Sequence, residues 1–188
     1  TFAGAGPGAA EHLTLGAFRA LQAADVVIHD RLVGAEVLAL IPAHVRRIDV
    51  GKEGFGPSAS QSQINAVLVA EALAGAQVVR LKGGDCGIFG RLEEEITALR
   101  AAGIPYEIVP GVPSACAAAA AACIPLTRRL TARRVQFVTG ADITGGLPQG
   151  LNWAALADPS ATTVVFMGKR TFPLLAAALI SHGLSPDT

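Results

Sequence analysis

The sequence has no excess of either charge: 15 Lys and Arg stand against 15 Asp and Glu, for a formal net charge of zero. A balanced surface argues against nucleic-acid binding as the main purpose. No uninterrupted apolar run approaches the roughly 20 residues that cross a bilayer. The opening residues do not read as a charged-then-apolar signal segment. Cysteine is scarce and odd in number, with Cys86, Cys116 and Cys123 at no metal-binding spacing. This usage fits a reduced, cytoplasmic setting. His12, His29, His44 and His182 also lack ligand spacing, and no metal site is expected. Charged residues make up only 16% of the chain against 51% hydrophobic, which argues against disorder. In 188 residues that composition is enough for one large domain or two small ones.

What is present is an alternation. Apolar, β-branched runs predict strands at Val26–His29, Val45–Val50, Val78–Lys82, Tyr106–Val109, Val135–Thr139 and Thr163–Met167. Between them, helical patterns cover Glu11–Ala23, Ala35–Leu40, Ser60–Ala74, Arg91–Ala102, Ser114–Ala122 and Phe172–His182. Gly75 and Gly103 each follow a helical run as stop signals. The alternation predicts an α/β fold, with largely parallel sheets flanked by helices on both faces. The rigid turn Pro110-Gly111-Val112-Pro113 suggests an N-terminal α/β domain over 1–110 and a C-terminal one over 111–188. The alanine run Ala117–Ala122 reads as a tightly packed buried helix. Thr1-Phe2-Ala3 is short for a strand, and a further strand is expected after Pro186. The C-terminal domain is therefore expected to be incomplete.

The most informative segment is Val78–Arg91, a strand that stops at Gly83-Gly84-Asp85. In open α/β sheets, ligands bind at the carboxyl ends of strands, and glycine lets them approach bare backbone. Gly4-Ala5-Gly6-Pro7-Gly8 is a second such turn. It lacks the G-x-G-x-x-G spacing, and Pro7 removes an amide, so it reads as a close-approach loop without a pyrophosphate or as a plain turn. Asp30 closes the second strand, where a general base would be held rigidly. On spacing alone it reads more readily as a helix cap or an ion partner of Arg31. Lys52 follows the third strand and could be a surface lysine. Strands ending near Asp30, Lys52 and Asp85 would put all three on one sheet edge. Arg128, Arg129, Arg133 and Arg134 form a basic cluster, either a solvated face or a binding surface for carboxylates. Cys86 has no nearby histidine and is not favoured as a nucleophile.

Taken in order, these motifs resemble the uroporphyrinogen-III C-methyltransferases of the tetrapyrrole methylase superfamily. The resemblance rests on Gly4–Gly8, Asp30-Arg31-Leu32-Val33, Val50-Gly51-Lys52, Gln63-Ile64-Asn65 and Val79–Asp85. It continues through Ile88-Phe89-Gly90-Arg91, Val109-Pro110-Gly111, Ile124-Pro125-Leu126-Thr127 and Phe137-Val138-Thr139-Gly140 to Leu151-Asn152-Trp153 and Met167-Gly168. It implies two α/β domains, distinct from the Rossmann methyltransferase fold, in a homodimer; the balanced charge and the lack of a spanning run leave no expected nucleic-acid or membrane partner. It implies S-adenosylmethionine as methyl donor, S-adenosylhomocysteine as product, and C-methylation of uroporphyrinogen III to precorrin-2, which feeds sirohaem and cobalamin synthesis. Asp30 would be the proton acceptor and Lys52 the proton donor. Pro7, Gly83, Gly84, Asp85, Ile88, Pro113, Ser114 and Met167 would contact the cofactor.

The chain departs from the family pattern at Ala9-Ala10, Cys86-Gly87, Leu92-Glu93, Pro113, Arg128 and Ala141. Two other readings accommodate these departures. One is a degenerate paralogue that binds cofactor or tetrapyrrole without turnover. The other is a corrin-pathway methylase of different regiochemistry.

Overall fold

The structure, a computed structural model, describes residues 1–51 and 60–188. Those residues divide into two units, Thr1–Ala117 and Ala118–Thr188. The first is built on five strands: β1 (Phe2–Gly4), β2 (Val26–His29), β3 (Arg46–Asp49), β4 (Val78–Lys82) and β5 (Ile108–Val109). They pair in the order β3-β2-β4-β1-β5, and every pairing is parallel. Helices α1 (Leu15–Gln22), α2 (Ala35–Ala39), α3 (Gln61–Leu73) and α4 (Leu92–Ala101) connect them, and α5 (Ser114–Ala121) follows.

Strand periodicity sorts the core into two layers. Ala3, Val27, Val79 and Leu81 pack with Ala17 and Leu21 of α1 and Val37 of α2. Phe2, Val26 and Ile28 pack on the other face with Ile64 and Leu68 of α3 and Leu99 of α4. The connection out of β1 therefore crosses one face of the sheet, and the connection out of β4 crosses the other. β1 and β4 are neighbours, so their carboxyl ends flank a topological switch point, where open α/β sheets form a crevice.

The second unit holds β6 (Arg134–Thr139) and β7 (Ala161–Phe166), paired in parallel, with α6 (Trp153–Leu156) and α7 (Phe172–Ser181). Leu156, Ala157, Leu175 and Leu179 form its core, with Val138 and Val165 packed against them. Among the described residues, no helix is long and apolar enough to cross a membrane.

Several expectations need correction. The helix expected over Glu11–Ala23 is interrupted. Residues Ala10–His12 form a 3₁₀ turn, and Thr14 restarts the chain by accepting the Ala17 amide at 3.2 Å. This is N-capping, and it moves the helix start to Leu15. Phe2–Gly4 is a real strand despite its length, because it lies between β4 and β5 and bonds to both. The strand expected over Tyr106–Val109 pairs only at Ile108–Val109. The last strand ends at Phe166, since Met167 turns to a φ of 56°. The alanine run is not a buried helix. Ala115 and Ala119 are buried, while Ala118, Ala120, Ala121 and Ala122 are exposed. The short helix α6, capped by Asn152, has no counterpart among the expected elements.

Candidate active site

Three loops leave the adjacent strands β4, β1 and β5 at their carboxyl ends and lock together. The Gly6 amide donates to the Gly84 carbonyl at 3.1 Å, and the Gly84 amide returns a bond to Gly6 at 2.7 Å. Gly4 and Gly111 pass so closely that a Cβ on Gly4 would stand 2.5 Å from the Gly111 Cα. Only glycine allows this approach. Asp85 fastens the arrangement. Its Oδ1 accepts the Gly87 amide at 2.8 Å, and its Oδ2 accepts the Gly111 amide at 2.9 Å. The expectation that Asp85 contacts a cofactor gains a structural alternative here, since both carboxylate oxygens already accept backbone amides.

Gly84 itself has a φ of 67°, and a Cβ there would find only the Ser114 amide, at 3.9 Å. Bare backbone thus borders open space at the switch point. Gly83 precedes it, with Leu32 of the loop after β2 packed close by. Pro7 and Ile88 are half-buried in the loops after β1 and β4. Pro113 and Ser114 begin α5 after the loop from β5. The structure therefore brings Pro7, Gly83, Gly84, Asp85, Pro113 and Ser114 to one edge of one sheet. Met167 belongs to the second unit, exposed at the end of β7. Lys52 lies outside the described residues.

Asp30 stands at the carboxyl end of β2, on the same edge. Asp30 forms an ion pair with Arg80, whose NH2 group donates to Asp30 Oδ1 at 2.6 Å. Strand register explains this pair, because Arg80 of β4 pairs with Ile28 of β2, two residues before Asp30. The Asp30 side chain keeps 29% of its surface exposed, whereas Arg80 keeps 3%.

Behind Asp30 lies a buried charge cluster that the sequence reading missed. Arg80 and Lys82 occupy alternate positions of β4 and point to the α3/α4 face. Glu95 of α4, 0% exposed, receives Arg80 at 3.0 Å and the Lys82 ammonium at 3.0 Å through either oxygen. Gln61 of α3 adds a bond to Glu95 Oε1 at 3.3 Å. Arg80 also donates to the Leu81 carbonyl at 3.2 Å. Burial holds the Lys82 ammonium below the ordinary lysine range, and neighbouring Arg80 acts in the same direction. Glu95 and Asp30 oppose the shift. The available signal was two cations at i and i+2 inside an otherwise apolar strand, which requires buried anionic partners.

Cys86 is fully buried, and its thiol is pushed above the usual range by burial and by the Asp85 charge. A thiol so placed is a poor nucleophile. The arginine cluster divides: Arg134 bonds Asp158 at 3.0 Å, while the Arg133 Nε donates to the Arg129 carbonyl at 3.1 Å. All four arginines are exposed. A separate cavity of 260 Å3 opens at the other end of the sheet, among Phe2, Leu68, Leu99 and Tyr106. It is remote from the carboxyl edge and carries none of the expected site residues.

A family model described as tetrapyrrole (corrin/porphyrin) methylases matches residues 1–188. The chain belongs to the tetrapyrrole methylases. A uroporphyrinogen-III C-methyltransferase of Paracoccus denitrificans is 52% identical over 185 residues, covering 98% of this chain and 64% of that protein. A sirohaem synthase of Methylococcus capsulatus is 50% identical over 184 residues, covering 98% of this chain and 39% of that one. Among solved tetrapyrrole methylases, a uroporphyrin-III C-methyl transferase of Thermus thermophilus complexed with S-adenosylhomocysteine superposes with a TM-score of 0.80. It is 40% identical, with 98% of this chain and 77% of that chain covered. The chain thus spans less than two thirds of the first two relatives, and its parallel sheets are those of the family.

Proposed function

We propose that this tetrapyrrole methylase transfers methyl groups from S-adenosylmethionine to two pyrrole carbons of uroporphyrinogen III, giving precorrin-2. The names of its relatives support the reaction class. The observation that carries the reading is the position of Asp30: a partly exposed carboxylate on the same sheet edge as the opening at Gly84.

The residues present fit the methyl donor. The space beside Gly84 would be filled by a Cβ, and Ser114 offers a backbone amide across it. Bound near Pro7, Gly83, Gly84, Ile88, Pro113 and Ser114, S-adenosylmethionine would supply an electrophilic methyl group. A reduced pyrrole carbon is electron-rich enough to attack such a methyl without a protein nucleophile, and buried Cys86 is not required. The chain's own task is proton handling. Attack leaves a cationic ring, and Asp30 accepts the proton that restores conjugation. Arg80 fixes one oxygen of that carboxylate through Oδ1. Among the described residues, no hydrogen bond is recorded to Oδ2. Lys52, in the role the resemblance implies, is a proton donor, and a proton it gives one ring position is matched by a second proton lost from another, so that each methyl gained still releases one proton net. Exposed arginines of the second unit provide guanidinium groups suited to the substrate's carboxylates. Assembly as a homodimer in the cytoplasm completes the proposal, and light scattering tests the dimer.

Incubation with S-adenosylmethionine and uroporphyrinogen III, followed by mass spectrometry, is expected to give a product with two added methyl groups. Asp30→Asn keeps the shape but removes the base, and turnover is expected to fall about 10²–10⁴-fold. S-adenosylhomocysteine binding is expected to survive. A folded Asp30→Asn protein with normal turnover rules out Asp30 as the base.

A further inference from the structure

Asp30 is not held by its own loop. Its Oδ1 is bonded to Arg80, and Arg80 is in turn bonded to Glu95, which also receives Lys82. Glu95 is the most deeply buried of these groups, at 0% exposed, and sits just inside the first turn of α4. An anion there is favoured by the helix N-terminus as well as by the two cations. Two cations and two carboxylates make the cluster neutral. Without Glu95, two buried cations would face Asp30 alone.

We propose that Glu95 is a positioning residue for proton abstraction. It anchors the Arg80 guanidinium and balances Lys82, so that Arg80 orients Asp30 without overwhelming its charge. This inference rests on the reading of Asp30 as the base. Among the described residues, the charged groups around Asp30 are Arg80 and Lys82 of β4, Glu95 of α4 behind them, His29 and Arg31 on either side of it in the chain, and Asp49 of β3, which pairs with His29. His29 meets it through the Asp30 carbonyl, at 3.3 Å from Nδ1.

The test is the kcat–pH profile of the intact protein with S-adenosylmethionine and uroporphyrinogen III. Glu95→Gln keeps the side-chain size and removes the charge. Its kcat is expected to fall about 10–100-fold, as misplacement of a reacting group by an ångström does. The acid limb of the profile is expected to move to lower pH by about one unit, because a carboxylate facing uncompensated cations protonates less readily. KM for S-adenosylmethionine is expected to hold. Glu95→Asp restores the charge and is expected to return the acid limb toward its original position. A role confined to stability would reduce the folded fraction without moving that limb.

If Glu95→Gln does not fold, Glu95→Gln with Lys82→Met removes one charge of each sign and keeps the cluster neutral. Its acid limb is expected to stay in place while kcat remains low, since Arg80 has still lost its anchor. Unchanged kcat and acid limb in folded Glu95→Gln, or normal kcat in the folded double variant, overturns the proposal. When Asp30→Asn is inactive in the same assay, the reading of Asp30 survives that result. If Asp30→Asn turns over normally, both fall together.

Discussion

Asp85 Oδ2 accepts the Gly111 amide at 2.9 Å, tying the loop after β4 to the loop after β5 across 26 residues of sequence. The other oxygen accepts Gly87, so one carboxylate sets two loops. Asp85→Asn retains only one acceptor and turns an amino group toward one of the two amides. Hydrogen bonds to a charged acceptor contribute about 1.5–3 kcal/mol each. Urea denaturation is expected to show a loss of that order, and calorimetry a weaker affinity for S-adenosylhomocysteine. Unchanged stability would mean that the clamp is redundant.

Glycines on this edge have separable roles. Gly84 borders open space but has a φ of 67°, so Gly84→Val strains the backbone by about 1–2 kcal/mol and projects a side chain into the opening. The expected result is a folded protein that no longer binds S-adenosylhomocysteine. Gly4→Ala instead drives a methyl group to 2.5 Å from the Gly111 Cα. Thermal unfolding of that variant is expected to show a destabilised fold before any question of binding arises. Equal affinity in wild type and folded Gly84→Val would sink the ligand-approach argument.

Legibility in the sequence followed the range of the interactions. Strands such as Val26–His29 and Val78–Lys82 were readable to the residue, because β-branched and other apolar residues mark each of them, even though Arg80 and Lys82 interrupt the second. The carboxyl-edge location of Asp30 and Gly83-Gly84-Asp85 followed from those strands. The partners did not. Arg80 lies 50 residues from Asp30, and only the β2–β4 register brings them together. Glu95 is one of three consecutive glutamates in the first turn of α4, and nothing local in that run marks it as the one that turns inward. Thr14 marked a helix start within a pattern that hydrophobic periodicity alone ran straight through.

The arginine cluster is expected to divide by function. Arg134 already bonds Asp158 and the Ala155 carbonyl, at 3.0 and 3.2 Å. Arg134→Ala is expected to lower thermal stability without a specific effect on tetrapyrrole affinity. Arg128→Ala and Arg129→Ala are expected to leave the melting temperature in place and weaken tetrapyrrole binding, as measured by fluorescence quenching. Unchanged affinity in both would reduce the cluster to a solvated face.

Cys86 gives a prediction in which sign matters. Its thiol is held above the ordinary range by burial and by Asp85, so the folded state keeps the proton after the unfolded chain has lost it. The stabilisation this confers is complete below about pH 8.5, where an ordinary thiol begins to ionise, and is lost as pH rises toward the folded value. Cys86→Ala lacks the titrating group. Its stability deficit against wild type, from denaturant melts across pH 7–10, is therefore expected to narrow on the alkaline side. Thiol labelling offers an independent check. Exposed Cys116 and Cys123 are expected to react with a disulfide reagent in the native protein, and Cys86 only after unfolding. Rapid labelling of all three native thiols would contradict the burial of Cys86 against the loop that Asp85 holds.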